Sequence, residues 1–113
     1  YVSRWMSSYH KGADICAAYG TPIIASDSGK VVTAGWHYSY GNYVIIDHGN
    51  GYRTLYAHMS QLKCTAGQAV NQGDVIGLVG STGDSTGNHC HFEIRHNGSY
   101  VAPQNVFNRS KYR

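Results

Sequence analysis

Four histidines and one aspartate are spaced as metal or proton chemistry requires. His10-Lys11-Gly12-Ala13-Asp14 sets an imidazole and a carboxylate four residues apart. In an extended chain those two positions share a face, and Gly12 between them adds no side chain, which leaves room for an ion. His89-Cys90-His91 sets two imidazoles on one face of a strand, with Cys90 and Phe92 turned toward the opposite layer. Paired imidazoles are costly to bury unless a metal, a proton or a hydrogen-bond partner satisfies them. His58 ends the run Leu55-Tyr56-Ala57-His58. Each motif alone has a plainer reading: a chance pair near a turn, a hydrated surface pair, a satisfied structural histidine. Together they supply one carboxylate and enough imidazoles for a three-donor zinc site with bases to spare. A catalytic zinc keeps three protein ligands and one place for water, whereas a structural zinc takes four, often cysteines. The chain has no HExxH helix, which excludes a thermolysin-type protease, and no CxxC pair. His37, His48 and His96 lie in or beside turn-like stretches and read as exposed turn residues.

The elements that must position these residues read as strands. Thr21 to Ile24, Lys30 to Trp36, Asn42 to Asp47, Tyr52 to His58, Val75 to Val79, His89 to Arg95 and Tyr100 to Ala102 are short, apolar and rich in β-branched or aromatic residues. Asn50-Gly51 and Asn97-Gly98 each fall between two such runs, a strong hairpin signal. No window shows sustained helical periodicity, and the best helical candidate is one turn after Pro103, through Val106. The expected fold is all-β: short antiparallel strands in two packed sheets or a partly open barrel, with little helix.

Composition agrees. The chain has 113 residues, which suits one domain spanning 1–113, and its 14 glycines, 10 tyrosines and 13% charged residues favour turn-rich β structure. The net charge of +3 comes from scattered Lys and Arg, which reads as solubilising charge and names no nucleic-acid partner. No stretch is long and apolar enough to insert in a membrane. The chain opens at Tyr1 without a Met or a leader, as a mature or excised domain would. Three cysteines, Cys16, Cys64 and Cys90, allow one disulfide or none.

At these motifs the chain resembles the lysostaphin-type, or LytM-like, zinc metallopeptidases of bacteria and their phages, from about Ser3 to Phe107. The family's H-x-G-x-D motif reads His10-Lys11-Gly12-Ala13-Asp14, its Y-A-H-L element reads Tyr56-Ala57-His58-Met59, and its H-x-H-F-E motif reads His89-Cys90-His91-Phe92-Glu93. Gly41 to Gly51 looks like its central hairpin, and Gly67 to Val70 with Gly73 to Gly77 like its late sheet. The resemblance implies one Zn²⁺ held by His10, Asp14 and His91, with His58 and His89 as the non-ligand histidines that serve as base and transition-state donor. It implies hydrolysis of cross-links or stem peptides of bacterial peptidoglycan, at an extracellular, cell-wall, periplasmic or phage-delivered location; the isolated domain is expected to be a monomer. Asn88 stands where the family usually has Pro, Cys90 where it has Leu, Cys16 where it has Ala and Ala13 where it has Ile or Leu; none of these is a ligand position. Trp36 to Gly41 is the candidate rim of the substrate site.

Three other readings compete. A non-catalytic wall-binding or activator module of the same fold is disfavoured because every ligand position is filled. A biotinyl-carrier-like module would need a modifiable Lys in a tight hairpin, and there is none between Lys63 and Lys111. A zinc amidase, which would cut the sugar–peptide bond, differs from an endopeptidase here only through the resemblance.

Overall fold

The computed structural model describes residues 2–4, 12–83 and 87–101, which leaves His10 and the turn expected after Pro103 outside the described residues. Ten strands follow in chain order: β1 (Val2–Arg4), β2 (Ala13–Cys16), β3 (Pro22–Ile24), β4 (Gly29–His37), β5 (Gly41–Gly49), β6 (Tyr52–Leu62), β7 (Ala69–Val70), β8 (Val75–Val79), β9 (His89–His96) and β10 (Ser99–Val101). Among the described residues there is no helix, so the fold is all-β as expected.

All strand pairs are antiparallel, in the order β1-β2-β9-β6-β5-β4-β7, with β10 beside β9 and β8 bridging β6 and β3. The expected two layers are thus parts of one branched, open sheet. The branch is β6. Tyr56 lies between Val44 of β5 and Phe92 of β9, whereas Met59 and Leu62 pair with Val79 and Gly77 of β8. The β3–β8 arm folds back so that Ile23, Ile76 and Val79 join Val44, Ile46, Tyr56, Phe92 and Ile94 in a single core. Each such aliphatic or Phe side chain contributes roughly 1.5–3 kcal/mol when fully buried.

Strand alternation then sorts the chemistry. In β9, Cys90, Phe92 and Ile94 enter the core, which turns His89, His91, Glu93 and Arg95 to the other face. Two of the turns that set this register are the expected Asn-Gly pairs. Asn50-Gly51 has φ of 53° and 83°, and Asn97-Gly98 has 52° and 84°. Gly49 pairs with Tyr52 and His96 with Ser99, so both are two-residue loops with left-handed residues throughout, which Asn and Gly adopt readily.

Candidate active site

Asp14 reaches the site from β2 and His91 from β9, and the two are direct cross-strand partners. Their side chains meet: His91 Nδ1 is 2.9 Å from Asp14 Oδ1. The other ring nitrogen, Nε2, is 2.8 Å from Glu93 Oε2. Carboxylate oxygens only accept, so both nitrogens carry protons here. Burial would lower the His91 pKa, but the bonds and charges of Asp14 and Glu93 outweigh it and lift it to about 9.

Gly12 owes its identity to packing. A Cβ there would strike the Phe92 carbonyl oxygen, with Glu93 Cγ at 2.9 Å and His91 Cε1 at 3.0 Å. The missing side chain therefore admits β9 close beside the segment leading into β2, not the open space for an ion that its position in the sequence suggested.

His89 sits opposite Cys16 at the start of β9, with Nε2 3.6 Å from Asp14 Oδ1 and Nδ1 donating to the Gly87 carbonyl at 2.9 Å. His58 arrives from the middle of β6, not from its end as the sequence suggested. It is a left-handed residue with φ of 61°, an unusual conformation for a side chain of this size. Its backbone N–H donates to the Tyr40 carbonyl at 2.7 Å and its Nδ1 to the Thr82 carbonyl at 2.7 Å. The His58 ring centroid lies 4.9 Å from that of His89 and 6.2 Å from that of His91. Burial is the main cause that lowers the His58 pKa, with the neighbouring His89 and His91 adding to it.

Asp14, His58, His89 and His91 thus converge, although they come from three strands. Among the described residues no group of three or more His, Cys, Asp or Glu is arranged as a metal cluster; His10 lies outside them.

A match to the model of peptidase family M23 runs over residues 8–103. The chain belongs to peptidase family M23. The DD-carboxypeptidase/endopeptidase Mpg of Neisseria meningitidis is 50% identical over 97 residues, covering 86% of this chain and 22% of that protein. The peptidoglycan DD-endopeptidase ShyA of Vibrio cholerae is 46% identical over 85 residues, 75% of this chain and 20% of that protein. The catalytic domain of lysostaphin from Staphylococcus simulans superposes with a TM-score of 0.80 at 36% identity, covering 86% of this chain and 77% of that one. This agrees with the lysostaphin-type resemblance. The chain spans about a fifth of the length of the curated relatives it matches (22% and 20%).

In this M23 domain two further residues stand beside the histidines: Glu93, which the sequence left without a role, and Tyr40, which it placed only on the candidate rim. Glu93 is 1% exposed and binds Tyr40, His91 and Arg95. Burial raises its pKa, but hydrogen bonds from His91, Tyr40 and Arg95 overcome that and hold it below the usual range. Tyr40 donates to Glu93, and its ring stacks 6.0 Å from His91. Alternation along β9 carries a signal for Glu93, since it shares a face with His89 and His91; Tyr40 lies within the expected rim, but nothing local marks its contact with Glu93.

The remaining histidines are tied into the sheet more than exposed turn residues would be. His48 bonds the Ser28 carbonyl and Thr54 Oγ1, His96 stacks on Tyr52 at 4.1 Å, and His37 Nδ1 accepts from the Ser39 and Tyr40 amides. On the expected rim, Trp36 and Tyr38 are 63% and 81% exposed. No disulfide forms, and all three cysteines are thiols.

Proposed function

We propose that this domain is a zinc metalloendopeptidase that hydrolyses peptide bonds in the cross-links or stem peptides of bacterial peptidoglycan, acting in the wall outside the cytoplasm. His10, Asp14 and His91 would hold the metal, and His58 and His89 would handle protons. The observation that carries this reading is the convergence of Asp14 Oδ1 and His91 Nδ1, 2.9 Å apart, with the far side of the imidazole anchored to Glu93. A carboxylate oxygen and an imidazole nitrogen brought this close are two of the donor types zinc takes, once Nδ1 gives up its proton to the ion. A divalent ion held there makes water a nucleophile at neutral pH and polarises the scissile carbonyl.

The protein's own contribution is proton placement. His58 and His89 each donate Nδ1–H to a backbone carbonyl, at Thr82 and Gly87, which makes Nε2 the nitrogen able to take up a proton. Burial favours the neutral form of His58, the form a general base needs. The substrate class is supported by the likeness to ShyA, a peptidoglycan DD-endopeptidase, and to Mpg, a DD-carboxypeptidase/endopeptidase.

The deciding experiment is digestion of purified peptidoglycan by zinc-loaded protein, with mass analysis of the fragments. The expected products are new amine and carboxylate ends within the peptides, lost on adding a chelator. Intact wall with the protein bound would favour the non-catalytic module, and whole stem peptides released from the sugar would make the enzyme an amidase.

A further inference from the structure

We propose that Glu93 is the positioning residue for the metal, and that Tyr40 and Arg95 serve it by fixing its carboxylate. This rests on the metallopeptidase reading above.

If His91 binds an ion through Nδ1, that nitrogen must be bare and the remaining ring proton must sit on Nε2. Nε2 is 2.8 Å from Glu93 Oε2. A carboxylate there selects the Nε2–H tautomer, fixes the ring plane and makes Nδ1 a better donor. For Glu93 to do so it cannot rotate, and the structure shows what stops it. Tyr40 donates to the same oxygen, Oε2, at 2.8 Å. Arg95 holds the other oxygen, Oε1, with Nη2 at 2.9 Å and Nε at 3.3 Å. The carboxylate is therefore pinned at both oxygens, in a setting where it is 1% exposed. The side chain of Tyr40 also lies flat along the imidazole, at 19° between planes. Its backbone carbonyl accepts the His58 amide, so the same loop residue sets both His91 and His58.

The test is the dissociation constant for Zn²⁺ alone, by chelator competition, for wild type, Glu93→Gln and Tyr40→Phe, together with the thermal midpoint of each metal-free protein. Glu93→Gln keeps the shape and removes the charge; zinc binding should weaken by about ten- to a hundredfold. Tyr40→Phe keeps the ring and should weaken it by a smaller factor. A purely structural role would lower the metal-free midpoints and leave the dissociation constants of the folded proteins at the wild-type value, which would overturn the proposal. Should Glu93→Gln fail to fold, Tyr40→Phe decides it by the same reading. Wild-type protein that binds no zinc would overturn both this inference and the metallopeptidase reading, whereas tight wild-type binding with unaffected variants would remove only Glu93.

Discussion

Which ring proton each imidazole keeps is what separates the three histidines of the site. His91 has carboxylates at both nitrogens, whereas His58 and His89 have carbonyls at Nδ1. Removing a donor atom and removing a proton carrier should therefore fail differently. His91→Ala and Asp14→Ala are expected to lose zinc on gel filtration; a full metal complement in either would strike that residue from the donor set. His58→Ala and His89→Ala are expected to retain zinc and lose turnover by about a hundred- to ten-thousandfold. Rates near wild type in both would take them out of the chemistry. His89 and His91 were readable as a pair because strand alternation alone puts them on one face; Asp14 joined them only through the family resemblance, since 77 positions separate it from His91. Tyr40 was legible only as part of the Trp36 to Gly41 rim; its bond to Glu93 was not, because 53 positions separate the two and only the pairing of distant strands brings them together.

Among the elements, β6 carries the most information. The sequence suggested a strand stopping at His58, since the apolar alternation breaks there. In the structure the strand continues to Leu62 through an irregular register, and His58 with its positive φ is the bend after which β6 leaves β9 for β8, while Met59 still pairs with Asn42 of β5. A left-handed residue with a Cβ is disfavoured by about 1–2 kcal/mol, a penalty that glycine escapes. His58→Gly should consequently be more stable than His58→Ala by about 1 kcal/mol in urea unfolding, the reverse of the usual order inside a strand. Ala equal to or above Gly would show that the bend stores no strain. The hairpins were legible because Asn-Gly is a local instruction. β3 and β8 were legible as short apolar runs, but their pairing with each other and the two-residue β7 were not, because those depend on contacts from far along the chain.

Over the molecule as a whole, burial decides which groups react and at what pH the fold loosens. Cys64 and Cys90 are 7% and 5% exposed, and burial raises the Cys64 pKa, so little reactive thiolate forms there. Iodoacetamide should label Cys16 in the native state and all three thiols once urea has unfolded the chain; rapid native labelling of Cys64 would contradict the packed core. Burial also raises the Tyr56 pKa, against the opposing hydrogen bonds of Ser26 and Thr54. The folded phenol holds its proton more tightly than the unfolded one, so its contribution is complete below about pH 10 and is lost as pH rises through the folded value. Stability should fall with pH above that point in wild type, and less steeply in Tyr56→Phe. Equal slopes would show that Tyr56 does not titrate with unfolding.

The two side chains that meet at 2.9 Å are separated by 77 positions in the chain. Strands so distant close slowly, because much loop entropy must be given up before any contact is gained. A chain that has not yet placed residue 91 beside residue 14 holds two separated halves of this contact, so the site is complete only once β2 and β9 have paired.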